Sequence, residues 1–391
     1  MRPVWGVSRM ASRNLATGGS DLVRIDLPES SFQGYNLEVP ELSFDTEKEK
    51  LLHMYREMMI VRRMEMAADA LYKGKKIRGF CHLSIGQEAV SVGIEEAIEP
   101  SDSVITAYRC HGFAYTRGAS VREILGELMG KRSGVSYGKG GSMHMFAPNF
   151  YGGNGIVGAH VPVGAGIAFS HKYKGEKNAT FDLYGDGAAN QGQVFEAYNM
   201  AKLWDLPCVF CCENNKYGMG TSAHRASALA DYYKRGQYIP GLKINGMDIL
   251  AVYQGSRFAK NWCAEGRGPL VLEYETYRYG GHSMSDPGTS YRTREEVQNM
   301  RTRSDPIAGL KSVLLELNIA SEDEIKAYDK EARNYVNEQT ALAEKDAAPE
   351  PRMDILFEDI YVRGSEVPSL RGRISDDSWD FNKKDFVNKV Y

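Results

Sequence analysis

Gly185-Asp186-Gly187 is followed, after 26 residues, by Asn214-Asn215. One carboxylate and one amide oxygen, set among glycines that let backbone approach a phosphate, suit a hard cation shared with a diphosphate. Magnesium keeps octahedral oxygen coordination, takes few protein ligands and draws the rest from substrate phosphates and water. Taken alone, Gly-Asp-Gly reads as well as a tight turn after a core strand, with Asn-Asn capping another, so the elements around it must decide.

Those elements form a β–α–β unit. An apolar strand over 179–184 ends in Gly-Asp-Gly, an amphipathic helix spans 192–204, and a second apolar strand over 208–212 ends in Glu213-Asn214-Asn215. Parallel strands joined by one crossover are neighbours or near neighbours, and open α/β sheets bind ligands beyond the carboxyl ends of their strands. Asp186 and Asn215 are therefore expected to converge just outside a parallel sheet. The spacing resembles the thiamine diphosphate motif, in which the Asp, the second Asn and a backbone carbonyl two residues later hold the metal. Those positions here are Asp186, Asn215 and Tyr217.

Bulk properties narrow the field. The chain has 391 residues, a formal charge of −3 and a pI near 6.3, which gives no reason to expect nucleic acid. No apolar run reaches the ~18–20 residues of a membrane span. Residues 1–20 hold Arg2, Arg9 and Arg13 among serines with no acid before Asp21, the composition of a mitochondrial transit peptide, so a matrix location is expected. Residues 21–44 lack a clear period and read as an extended arm. The six cysteines read as buried structural thiols. Cys208-Val209-Phe210-Cys211 sits in an apolar strand, and no second pair offers two more zinc ligands.

Along the chain, Asp45-Thr46 begins a long helix, with Glu49 placed for a capping box. A second helix runs from Gly86 to Ile98, a strand from Ser103 to Tyr108 and a short helix from Val121 to Met129. Residues 131–158 are glycine-dense, and so long a loop inside a compact domain is usually functional. A small-residue helix covers 158–173, a helix 249–263, a strand 270–277, a Gly/Ser/His loop 279–294 and helices 294–347. The tail 349–391 holds a strand-like run at 357–362. The expected architecture is α/β, a doubly wound, mostly parallel sheet flanked by helices, with a diphosphate-binding domain over 45–348. No Gly-x4-Gly-Lys-Ser/Thr is present, which argues against a P-loop protein.

Longer motifs sharpen the resemblance. Gly138-Lys-Gly-Gly-Ser-Met-His-Met145, the run 149–158, Tyr184-Gly-Asp-Gly-Ala-Ala-Asn-Gln-Gly192, Cys212-Glu-Asn-Asn-Lys-Tyr-Gly-Met-Gly-Thr221 and His282-Ser-Met-Ser-Asp-Pro-Gly-Thr-Ser-Tyr-Arg292 are similar to one family over about residues 45–365. That family is the alpha subunits of the decarboxylating component of mitochondrial pyruvate dehydrogenase complexes. The resemblance implies thiamine diphosphate and Mg2+ as cofactors. It also implies oxidative decarboxylation of pyruvate, with transfer of the acetyl group to the lipoyl group of an acyltransferase component. The implied metal ligands are Asp186, Asn215 and Tyr217, and the implied cofactor contacts are Tyr108, Arg109, Ala147, Gly155, Val157, Gly185, Gly187, Ala188 and His282. His82 and His282 line the substrate end. Since the family's activating Glu comes from a beta subunit, the active unit is an α2β2 heterotetramer docked on a dihydrolipoyl acetyltransferase core, and this subunit alone is inactive. Ser222, Ser283 and Ser290 match positions modified by a dedicated kinase, with a phosphatase opposing it. A phosphate adds about −1.5 to −2 charges at a site that must admit anions. The chain departs from the family at Gly280, where a His is usual, and this makes the loop more flexible. Alternatives are a branched-chain 2-oxo acid or acetoin dehydrogenase alpha subunit, or a non-catalytic regulatory subunit of the same fold.

Overall fold

The computed structural model describes residues 22–351 and residue 359. The transit segment expected at 1–20 and, apart from Asp359, the strand-like run 357–362 lie outside the described residues, as does most of the tail.

The N-terminal part is more ordered than an extended arm. β1 (Leu22–Asp26), β2 (Phe32–Tyr35) and β3 (Ser43–Glu47) precede a 26-residue helix α1 (Lys48–Lys73). β1 and β3 form an antiparallel ribbon in which Val23 pairs with Thr46 and Arg24 with Asp45. This corrects the expected helix start. Asp45 and Thr46 are strand residues, and α1 begins after Glu47 with no side-chain cap. The ladder gives their backbone groups partners that a capping box would otherwise supply.

The next elements are α2 (Glu88–Ala97), β4 (Ser103–Ile105), α3 (His111–Thr116), α4 (Val121–Leu128), α5 (His160–Lys174), β5 (Thr180–Gly185), α6 (Gly192–Leu203) and β6 (Cys208–Asn214). A small ribbon, β7 (Tyr217–Gly218) and β8 (Thr221–Ser222), and the one-turn helix α7 (Ala223–Ala226) precede β9 (Gly241–Asn245), α8 (Ile249–Ala264) and β10 (Leu270–Glu275). Helices α9 (Arg294–Ser304), α10 (Pro306–Glu316) and α11 (Glu322–Lys345) complete the described chain. The main sheet has the order β2-β9-β10-β6-β5-β4. β2 is the antiparallel edge strand and every other pairing is parallel. The reading by period did not register β9 or α3, both too short to show one.

Both faces of the sheet are buried, which is why its strands read as continuous apolar runs. Along β6, Val209 and Cys211 pack into the core beneath α1, α2 and α8, whereas Cys208, Phe210 and Cys212 pack into a second core beneath α5 and α6. The alternation separates Cys208 from Cys211: three residues apart on a strand, they point to opposite faces. All six cysteines are free and buried, as expected of structural thiols.

The strand expected over Ser103–Tyr108 stops at Ile105. Beyond it, the glycine-rich segment runs along the sheet edge, with Val104 N–H donating to Asn149 O at 2.9 Å, Tyr151 N–H to Val104 O at 2.8 Å and Thr106 N–H to Gly152 O at 3.0 Å. The long loop is thus tied to the sheet at its centre.

Candidate active site

β5 and β6 lie side by side in parallel with Gly185 opposite Glu213, so the residues that follow each strand emerge together. Asp186 is 2% exposed. The β7 turn packs against it: a Cβ placed on Gly218 would stand 3.8 Å from Asp186 Oδ2 and 3.1 Å from Gly187 Cα. Glycine relieves a tight approach of two backbones at this contact. Asn215 Oδ1 and Tyr217 O both accept from Arg278 Nη1, at 3.5 and 3.1 Å. The two oxygens therefore already share one cationic focus beside the carboxylate. Asn215 Nδ2 donates to Gln87 Oε1 at 2.9 Å, which fixes the amide with its oxygen toward that focus. Burial pushes the Asp186 carboxyl up to about 6, the condition of a carboxylate that a neighbouring cation would relieve. An oxygen set of this kind fits Mg2+.

The two histidines expected at the substrate end meet. The His82 ring lies 4.6 Å from Tyr108 and 5.2 Å from His282, centroid to centroid. Arg109 joins their loops: Nη1 donates to Leu83 O and Nη2 to His282 O at 3.0 Å. The resemblance assigned this guanidinium to a diphosphate; here both terminal nitrogens also cross-link backbone carbonyls. Burial, then the charges of Arg109 and of its neighbours, pushes His82 down to about 3 and His282 down to about 4. Both rings are neutral, and each has a buried Nδ1 with no hydrogen-bond partner among the described residues. Burial and the Arg278 charge push Arg109 itself down to about 10. The penalised Arg109 charge and the two unpartnered ring nitrogens are features that a polar, anionic ligand would relieve.

Gly185, Gly187 and Ala188 form the turn out of β5, with Ala188–Asn190 a 3-10 turn. Ala147 and Gly155 are half-buried, and Val157 is 41% exposed beside exposed Ile156. His144 links this segment internally, with Nδ1 on Gly140 O at 3.2 Å and Nε2 accepting from Gly155 N–H at 3.4 Å.

The segment 279–294 is held from within. Asp286 accepts from His282 N–H at 2.6 Å, Gly288 N–H at 2.8 Å and the Tyr291 hydroxyl at 2.6 Å, and Tyr291 accepts from Arg278 Nη2 at 2.9 Å. Arg292 donates to the carbonyls of Arg278, Tyr279 and Gly280. The flexibility expected from Gly280 is therefore countered through its carbonyl, which guanidinium groups hold; space around its missing Cβ is open. Ser283 is 8% exposed and bonded to Ser285 Oγ at 2.9 Å, so modification there requires the loop to open. Ser290 is exposed and Ser222 half-buried at the end of β8. Reading by residue type missed Arg278, Gln87, Asp286, Tyr291 and Arg292. Nothing in an arginine's local sequence reveals that it will be 1% exposed and aimed at Asn215.

A mostly parallel sheet with carboxylate, amide and carbonyl oxygens, buried guanidinium groups and paired histidines at its carboxyl edge fits the class of thiamine diphosphate-dependent α/β enzymes. The dehydrogenase E1 component family model matches residues 56–352. Relatives include mitochondrial pyruvate dehydrogenase E1 component alpha subunits of Kluyveromyces lactis, 71% identical over 95% of this chain and 90% of that protein, and of Saccharomyces cerevisiae, 69% identical over 95% and 88%. The human somatic form is 56% identical over 90% and 88%. The chain belongs to the dehydrogenase E1 component family.

Proposed function

We propose that this chain is the alpha subunit of a pyruvate dehydrogenase of the mitochondrial matrix. With a beta subunit it decarboxylates pyruvate oxidatively and passes the acetyl group to a lipoyl group on an acyltransferase core. The observation that carries this reading is the focus of Asn215 Oδ1 and Tyr217 O on one cationic point beside buried Asp186. Bound thiamine diphosphate supplies a carbanion nucleophile and an electron sink for decarboxylation. The chain's own residues do the rest. Asp186, Asn215 and Tyr217 would hold Mg2+, and Gly185, Gly187 and Ala188 would admit the diphosphate by backbone. Tyr108 and Arg109 would bind its charge, and Ala147, Gly155 and Val157 would support the rings. His82 and His282, whose Nδ1 atoms have no partner among the described residues, would exchange protons with the substrate.

Exposed Phe146, Tyr151, Ile156, Val157 and Val163 border the glycine segment and support a site completed by a partner subunit, as exposed apolar patches mark interaction surfaces. Ser222, Ser283 and Ser290 would answer to a kinase and phosphatase, since a phosphate beside His282 repels anionic substrate and cofactor. The test is carbon dioxide release by the co-expressed α2β2 pair. Turnover of pyruvate above branched 2-oxo acids, lost without Mg2+ or thiamine diphosphate, is the expected result. Preference for branched substrates, or turnover independent of both cofactors, overturns the reading.

A further inference from the structure

One fully buried acid lies behind His82 and is spoken for on every side. Glu65 of α1 is 0% exposed. Its Oε1 accepts from Ser84 N–H and Ser84 Oγ, both at 2.9 Å. Its Oε2 meets His111 Nδ1, at the start of α3, at 2.9 Å. The other ring nitrogen, His111 Nε2, lies 2.8 Å from Ser142 Oγ, on the short turn Gly141–Met143 of the glycine segment. Ser142 Oγ in turn accepts the backbone N–H of His82 at 3.1 Å. Glu65 thus reaches the His82 loop twice, directly through Ser84 and indirectly through His111 and Ser142.

The order Glu–His–Ser is that of a nucleophilic triad, but the chemistry is excluded here. Ser142 is 4% exposed, and its oxygen is occupied by the His82 amide. A carboxylate can only accept, so Glu65 accepts from His111 Nδ1–H, and His111 Nε2 shares the second hydrogen bond with the serine hydroxyl. The serine lone pair that remains then receives His82 N–H. Each group has one role, and three elements distant in sequence are tied to one point. Burial alone would raise the Glu65 carboxyl; the His111 charge and hydrogen bond, with both Ser84 donors, hold it below its usual value instead.

We infer that Glu65, His111 and Ser142 form a positioning relay that suspends the His82 loop, and that Ser142 sets the placement of the His82 imidazole at the substrate end. The inference deepens the proposed function and rests on its assignment of His82. Misplacement by about 1 Å can cost on the order of a hundredfold in rate, whereas nothing in the relay touches the oxygens assigned to the metal.

The test is Ser142→Ala in the co-expressed α2β2 complex, a change that deletes one atom and leaves the backbone intact. Turnover per bound thiamine diphosphate is expected to fall about tenfold, with the cofactor Kd within about twofold of wild type. Amides 80–85 are expected to exchange hydrogen at least about tenfold faster, and those of β5 and α11 at unchanged rates. Unchanged turnover per bound cofactor, or a loss accounted for by weaker cofactor binding, overturns the relay. Unaltered exchange over 80–85 overturns it whatever the substrate proves to be. Absence of pyruvate turnover in the wild-type complex counts against the proposed function alone, because the exchange measurement still decides the relay.

Discussion

Two regions of the molecule bury charge in opposite ways. In the helical support built from α1, α2, α10 and α11, charges are paired. Arg62 bonds Glu88 and, at 3.0 Å, Asp305, and Arg63 bonds Asp329. Burial alone would lower the Arg62 guanidinium, but the Glu88 hydrogen bond and charge, helped by Asp305, raise it. At the carboxyl edge of the sheet the signs reverse. Burial raises Asp186 to about 6 and Glu213 to about 7 and lowers Arg109 to about 10. His82 and His282 are lowered as well. In the support, partners inside the chain stabilise the charged form of Arg62. In the site the charged forms are penalised, a penalty that a metal and an anionic ligand would relieve. The comparison teaches that burial alone does not mark function, and that a disfavoured charged form is a pointer only where such groups converge on one place, since Asp182 and Glu95 share it elsewhere.

The sharpest way to break that contrast is to remove the acid at the focus. Asp186→Ala should weaken cofactor retention by more than about a hundredfold, beyond what loss of an outer-sphere partner costs, as read by equilibrium binding of thiamine diphosphate with Mg2+ to the α2β2 pair. Retention at wild-type affinity, above all in the double variant with Asn215→Ala, would show that the metal is held elsewhere. Next comes an added negative charge. Ser283→Glu places a carboxylate beside His282 and should cut turnover at least about tenfold, equivalent to about 1.4 kcal/mol. Assembly should be intact by sedimentation; wild-type rates would remove the regulatory reading.

A smaller effect follows from His160 on the other face of the sheet. Its Nε2 bonds Leu183 O at 2.6 Å, and its Nδ1 has no partner among the described residues. The group facing it is Asp182, at 4.0 Å, a carboxyl that burial raises well above its usual value. Burial pushes His160 down to about 4. Between that value and the ordinary one near 6.5, the unfolded chain binds the extra proton, so this residue makes stability rise with pH across the window and fall as pH drops. His160→Gln should lose that component. Urea midpoints of variant and wild type, compared at pH 7 and pH 4.5, should diverge in favour of the variant at the lower pH, and parallel curves would contradict the assignment.

The smallest effect lies in the support. Ser321 caps α11 through a capping box with Glu324. Ser321→Ala should lower stability by about 1 kcal/mol in chemical denaturation and leave turnover unchanged. A loss of activity there would show that the two regions are coupled more tightly than their separate charge networks suggest.

Much of this was legible in the chain. The apolar run into Gly185-Asp186-Gly187 and the run into Asn214-Asn215 placed Asp186 and Asn215 at nearby strand ends because strands joined by one crossover are usually neighbours, and β5 and β6 do lie side by side. The expected long helix was also found, but its start was misplaced. Thr46 has the side chain of a cap, and pairing with Val23 decided otherwise. The glycine density of 131–158 signalled a long loop without revealing that part of it runs along β4.

What the sequence determined by itself was local: the periods of strands and helices, the glycines where backbones approach, and the spacing that puts Asp186 and Asn215 just beyond two neighbouring strands. What the tertiary structure decided was which buried charges find partners. Arg278 reaches Asn215 across 63 positions, Glu65 reaches His111 across 46, and Arg109 reaches His282 across 173. Those meetings depend on how layers pack, and side-chain charge is felt over a few ångströms of space rather than along the chain.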